Sequence, residues 1–425
     1  METSHKHFEK KDIQTVLKHI LLKDYLTRWA NVFMKASISK PIKKCHFADC
    51  FAGRGSFEDG QEGSPLIAIN NLFNLQREFQ YSKECRFYIH TVELLESYHN
   101  MLKQMAEQSS YPSQIKNHCG EFKDHVVPLL KSTSGYPALY FVDPFGYKGV
   151  HMADILKILS ERSHEVLINV MSYSLVRNYR IHNNQEELSD FFGVDELPDN
   201  IIEYIRMASN DDVLSNQKSR GLFEKLEDQI LDLYVLKLKS SFSEPMYTLK
   251  KRIYSPLNPN VYFHLVFATR SRAGLVEMKN TMVAFEGLRI KAEDNYHEAT
   301  NSRKMLYVDD LFSESSSLKV YDYSDFVDGI IKHFNNIETT YGKIVDYFLQ
   351  YSPLTFRDIE SQKSIYDYST RLFKKNSYIN SSSHSYANYR DADNVVMHIR
   401  LPSDYLSRIQ GSDAQVEQLD LFNMG

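Results

Sequence analysis

The feature that narrows the fold most is a strand that runs into a glycine turn, followed by a regular exchange of strand-like and helix-like runs. His46–Phe51 is a short apolar run that enters a turn containing Gly53 and Gly55. Ser64–Leu75 then reads as a helix, Arg86–Val92 as a strand ending in Glu93, and Leu94–Gln108 as a helix. Gln114–His118, Ala138–Val142 and Glu165–Met171 supply further strands, separated by helical patterns at Phe122–Lys131 and Met152–Ser160. Such alternation predicts an α/β architecture, a largely parallel sheet with helices on both faces. Met246–Tyr254 and Val261–Thr269 add two strands, for seven in all. Between them and the first five, residues 183–240 break the rhythm with a polar, mostly helical insertion.

The glycine turn, HFADCFAGRGSFEDG at 46–60, has the character of a ligand loop. Glycine is required where a backbone must turn sharply and approach a ligand closely. Asp49, at the strand end, is placed to meet a positively charged amino-acid moiety. Glu93, at the end of the next strand, is placed to accept hydrogen bonds from both hydroxyls of a ribose. Glu121, after the third strand, is a candidate for an adenine amino group. Together Asp49, Phe51, Ala52, Gly53, Gly55, Glu93, Leu94, Glu121 and Asp143 form an expected S-adenosylmethionine (SAM) site. The loop reads GRGSFE rather than GxGxxG, which disfavours a dinucleotide.

Asp143, Pro144, Phe145 and Gly146 close the fourth strand, where ligands sit in open α/β sheets. The Asp143 carboxylate and the Pro144 carbonyl are acceptors, expected without competing donors, that suit the hydrogens of an exocyclic amine. Phe145 suits stacking on a planar base. Methyl transfer to such an amine depends mainly on positioning. Arg54, Lys148, Arg177 and Arg180 are candidate phosphate contacts, and Tyr147, Tyr173 and Tyr179 are candidate stacking or packing groups.

Bulk properties limit the alternatives. A chain of 425 residues exceeds one compact core. Its net charge of -5 rules out a generally basic chain, so nucleic-acid contact would need local patches. Cys45, Cys50, Cys85 and Cys119 form no CxxC pair, so neither zinc nor a disulfide framework is expected. No apolar run approaches the roughly 20 residues a membrane helix needs, and Val16–Leu22 is interrupted by Lys18 and His19. The polar start has no signal-peptide pattern, and a cytoplasmic location is expected.

In sequence order, KDYLTRW near residue 23, FADCFAGRGSF, GSPLIA at 63–68, VELLE at 92–96, FVDPFG at 141–146 and FATRSRAG at 267–274 resemble the three-Cys-motif partner protein (TcmP) family. The resemblance spans about residues 15–285. It implies a Rossmann-like, seven-stranded methyltransferase sheet that takes SAM, and a radical-SAM-like protein with three cysteines as a partner. DPFG also resembles the matching motif of tRNA guanine-N2 methyltransferases. In the commoner amino-methyltransferase motif, a second proline stands at Phe145 and an aromatic residue at Gly146.

The expected organisation is an N-terminal helical segment (1–40), the methyltransferase-like domain (41–313), a winged-helix-like domain (318–402) and a flexible tail (403–425). The winged-helix unit would carry helices at Thr340–Leu349, Thr355–Ser361 and Lys363–Lys375, with nucleic acid and protein both open as its target. In the tail, Gln418, Leu419, Leu421 and Phe422 fit a pentapeptide that docks on the DNA polymerase sliding clamp. Three functions follow: a SAM-dependent methyltransferase acting on a nucleic-acid base at an amino group, a non-catalytic partner protein, or a nucleic-acid-binding regulator.

Overall fold

The structure, a computed structural model, describes residues 13–38, 42–79, 85–170, 185–208, 217–255 and 258–300 of a first unit. Of a second unit it describes 329, 332–334, 337–356, 379–381 and 396–399. The units divide at Lys304 and Met305. The proposed recognition helix 363–375, the tail motif at 418–422, and Tyr173, Arg177, Tyr179 and Arg180 lie outside the described residues.

The first element among the described residues is one long helix, α1 (Ile13–Ala36). Leu17, Leu21, Leu22, Tyr25, Leu26 and Trp29 recur at helical spacing and bury one face. The α/β alternation follows as β1 (Lys44–Asp49), α2 (Ser64–Glu78), β2 (Arg86–Glu93), α3 (Glu96–Glu107) and β3 (Ile115–Cys119). It continues with α4 (Phe122–Thr133), β4 (Ala138–Val142), α5 (Met152–Ser160) and β5 (His164–Val170). Among the described residues the expected insertion carries α6 (Gln185–Phe192), α7 (Asp199–Ala208) and α8 (Gln217–Ser240). β6 (Tyr247–Ser255), β7 (Asn258–Thr269) and α9 (Arg272–Thr300) complete the unit.

The seven strands form one sheet in the order β3-β2-β1-β4-β5-β7-β6. β1 to β5 pair in parallel, and β7 runs antiparallel to both β5 and β6. The seven-stranded, largely parallel sheet is the one the sequence predicts, with one reversed strand near the edge. β4 and β5 are fully buried, which explains the unbroken apolar run of β4, while β5 also buries His164, Glu165 and Asn169. Order reverses at the β1/β4 pair, so the crevice above Asp49 and Asp143 is the topological switch point.

α1 is not a separate segment. It packs against α2 and α9 within the first unit. A buried polar contact fixes it: the Tyr25 hydroxyl donates to Glu165 Oε2 at 2.6 Å. Thr269 Oγ1 donates to the other carboxylate oxygen at 3.0 Å. Tyr25 also meets Phe267 edge-on at 5.2 Å between centroids.

Beneath β1–β3 runs a line of imidazoles. His46 Nδ1 and His90 Nε2 share a hydrogen bond of 3.0 Å, and His90 stacks on His118 with centroids 5.8 Å apart. Burial drives all three below the usual histidine value, to about 4, 3 and 4.

In the second unit, β8 (Glu338–Thr340), β9 (Ile379–Ser381) and β10 (Val396–Ile399) form an antiparallel sheet ordered β8-β10-β9. Thr340 caps α10 (Tyr341–Tyr351), accepting the Lys343 N–H at 3.3 Å. Among the described residues no helix is long and apolar enough to cross a membrane.

Candidate functional site

The glycine turn after β1 folds as its composition requires. Gly53 and Gly55 have φ of 61° and 84°, values that side-chain-bearing residues rarely adopt. A Cβ on Gly55 would lie 2.2 Å from Met105 Cε. Gly63 donates to the Gly55 carbonyl at 2.8 Å, and a Cβ on Gly63 would lie 2.6 Å from that oxygen. The unusually long connection to α2 is therefore pinched shut at 55 and 63 and held by an antiparallel bridge between Ser56 and Glu62.

Glu93 locks the turn from the neighbouring strand. Its Oε2 accepts the Gly53 N–H at 2.8 Å, and its Oε1 accepts the Leu95 N–H at 2.8 Å. Burial raises its pKa, and these amide bonds oppose that rise. Leu94, beside it, is 60% exposed, unusual for a large aliphatic side chain at the mouth of a sheet.

Asp49 is sealed under the turn. Desolvation raises its carboxyl to about 7, with hydrogen bonds from Ser64 and Phe51 opposing and the charges of Asp143 and Glu93 adding. Its Oδ2 is buried with no hydrogen-bond partner among the described residues. That orphaned acceptor is an argument for a ligand with a cationic or hydrogen-bonding group beside the turn.

A cleft opens beside these residues. The turn residues Phe51–Phe57 form one wall, with Ser64 beneath. Asp143, Pro144 and Phe145 form the far end, flanked by Asn169 of β5 and Phe263 of β7. Lys18 and His19 of α1 close the remaining side. Phe145 is 72% exposed at the rim, while Pro144 and Gly146 are buried.

Two donors occupy Asp143, contrary to the expectation of a carboxylate free of them. The Lys18 ammonium donates to both oxygens, at 2.8 and 2.7 Å. Asn169 Nδ2 donates to Oδ1 at 2.7 Å. Lys18 also lies 5.3 Å from the Phe263 ring centroid, over its face. The contact joins residues 125 positions apart, so no local pattern around Asp143 foretells it. The signal the sequence does carry is the interruption of the apolar run Val16–Leu22 by Lys18 and His19. A polar pair on a buried helix face needs a partner.

The other expected site residues divide. Phe51, Ala52, Gly53, Gly55, Asp143, Pro144 and Phe145 share the cleft. Glu93 reaches it through Gly53. Glu121 does not: it is exposed and ion-paired with Lys123 at 2.7 Å. The phosphate candidates are engaged elsewhere, Arg54 with Glu58 at 3.0 Å and Lys148 with Glu187 at 3.6 Å. Tyr147 is buried against Phe191 and serves packing.

No family model matches the sequence, and no curated protein matches it. Among solved structures, the chain is similar to the O-methyltransferase TomG from Streptomyces achromogenes, determined in complex with SAM. The identity is 10%, over 57% of this chain and 78% of that one, with a TM-score of 0.27. It is also similar to the methyltransferase domain of the bacterial protein CtHen1-C, at 14% identity over 59% of this chain and 100% of that one, TM-score 0.28. At this level of likeness, the fold assignment rests on the strand order itself.

Proposed function

We propose that the first unit is a SAM-dependent methyltransferase acting on a nucleic acid. One observation carries the cofactor reading: Glu93 and the Gly53 backbone meet at 2.8 Å on the edge of the switch-point crevice. Glycines with positive φ, an orphaned Asp49 carboxylate oxygen and the exposed Leu94 make a set that suits SAM. Phe51–Gly55 and Asp49 would hold its amino-acid portion, and Glu93 with Leu94 its ribose and adenine. Bound there, SAM supplies an electrophilic methyl group. The chain supplies a closed turn, a rim aromatic to stack the acceptor, and a polar end at Asp143 to orient the acceptor's nucleophile.

The nucleic-acid acceptor rests on Phe145, an exposed aromatic at the rim beside a polar pocket, an arrangement that suits a flipped or single-stranded base. The sequence motif favours an exocyclic amine as the nucleophile, an assignment that assumed an unengaged Asp143. TcmP kinship, a three-cysteine partner, a winged helix in the second unit and clamp docking by the tail rest on sequence alone. Co-purification with such partners tests them.

Titration calorimetry with SAM tests the central reading. Binding that weakens about 10- to 100-fold in Glu93→Ala is expected from loss of a charge-assisted contact. Wild-type protein that takes up no heat with SAM overturns the assignment.

A further inference from the structure

We propose that the acceptor nucleophile is a hydroxyl held between Lys18 and Asp143, which on a nucleic acid means the ribose 2′-hydroxyl of RNA. The inference rests on the methyltransferase reading above and comes from the hydrogen-bonding capacity left at the end of the cleft. An ionised carboxylate has about four acceptor positions. Lys18 takes one on each oxygen of Asp143 and Asn169 takes a second on Oδ1, which leaves one on Oδ2. Asn169 Oδ1 has no partner among the described residues, but it is buried, so the accessible side-chain acceptor is that of Asp143. The Lys18 ammonium gives two N–H groups to Asp143 and keeps one.

The side chains at the end of the cleft therefore offer one acceptor and one cationic donor, side by side. An exocyclic amine is complemented by two acceptors, and an ammonium beside it competes for them. A hydroxyl is complemented by one of each: its proton points at the carboxylate, and its oxygen takes the ammonium N–H. Along a nucleic-acid chain the internal hydroxyl is the ribose 2′-OH, the group that separates RNA from DNA. Phe145 at the rim then stacks the base of the same or the next nucleotide.

The chemistry balances. The hydroxyl oxygen forms its bond to the methyl carbon as the carbon–sulfur bond breaks, and that electron pair stays on sulfur as a neutral thioether. The hydroxyl proton goes to Asp143 Oδ2 and from there to solvent. Lys18 holds the oxygen in line and stabilises the negative charge that develops as the proton leaves. Asn169 acts as a positioning residue by fixing the carboxylate.

The test gives the full chain labelled SAM with two probes of one mixed sequence, an RNA and its all-deoxy counterpart. Label is expected in the RNA alone, recovered after nuclease digestion as ribose-methylated nucleosides. Lys18→Met should lower kcat about 100-fold or more, with SAM affinity changed less than about threefold. Lys18→Arg, which keeps a donor, should regain part of the rate. Label on base nitrogen, equal label in DNA, or SAM binding with transfer to neither probe overturns the hydroxyl assignment and leaves the cofactor reading standing. Absence of SAM binding by calorimetry overturns the reading beneath it. An unchanged kcat in Lys18→Met removes Lys18 from the reaction. Thermal melting and SAM titration of both Lys18 variants separate misfolding from lost chemistry.

Discussion

The two ends of the cleft are built by opposite means. At the turn, the groups that meet are backbone amides and one carboxylate, joined across 40 positions within a single β-α-β passage. At Asp143, the groups are two charged side chains and one amide, from α1, the end of β4 and β5, brought together across 125 and 26 positions. The first end is fixed by local geometry and tolerates little change in shape. The second is fixed by tertiary packing and is sensitive to charge. Binding and chemistry are therefore expected to respond to different substitutions.

Asp143→Ala should show the largest separation. It removes the proton acceptor and leaves Lys18 without its ion-pair partner, so transfer is expected to fall about 100- to 1000-fold. SAM affinity, measured by calorimetry, should stay within a few-fold of wild type; a parallel collapse would mean the ends are one site.

Gly55→Ala tests the turn by shape. A left-handed φ with a Cβ 2.2 Å from Met105 Cε should destabilise by about 1–3 kcal/mol. A melting curve that does not move would show that Met105 swings away and that the φ relaxes.

Tyr25→Phe touches neither end directly. It strips the hydroxyl from buried Glu165 and is expected to reduce stability by about 1–3 kcal/mol, read from denaturant unfolding. Glu165 has its carboxyl raised to about 7 by burial, with the Tyr25 and Thr269 bonds opposing the rise. A raised acid favours the folded state most below its unfolded value near 4.5, and that advantage fades as pH climbs through 7. The variant should therefore lose more stability above pH 7, where a carboxylate left with Thr269 alone must be charged, than at pH 5.

The smallest effects belong to the histidine line and to Glu121. His46, His90 and His118 have folded values near 4, 3 and 4 against 6.5 unfolded. The unfolded chain then takes up protons that the folded rings refuse, so stability falls as pH drops from about 6.5 towards 3. His90→Gln should flatten that acid limb in a pH series of melts. Glu121→Ala should leave SAM affinity within about twofold, since its exposed pair with Lys123 is worth little.

The same contrast explains what could be read from the chain in advance. Strand and helix periodicity carried the sheet, and Gly53, Gly55 and Glu93 announced themselves because residue type and local position coincide there. Asp143 was visible as a strand end, but its electrostatic surroundings were not. Lys18 lies in a helix that packs onto the sheet only after the chain has folded, and Asn169 is one polar residue in an apolar run. Glu121 was misjudged for the converse reason: its place after β3 is right, yet its side chain turns outward to Lys123.

α1 stands outside the alternating β-α core, yet it delivers Lys18 to Asp143 at the end of the cleft. Anchored through Tyr25 and Glu165, it works as a separate jaw set against the sheet. On the proposed function, exchanging this first helix for another would change which nucleophile is accepted without rebuilding the glycine turn, so the 24 positions of α1 could diversify targets while the interior of the sheet stays untouched.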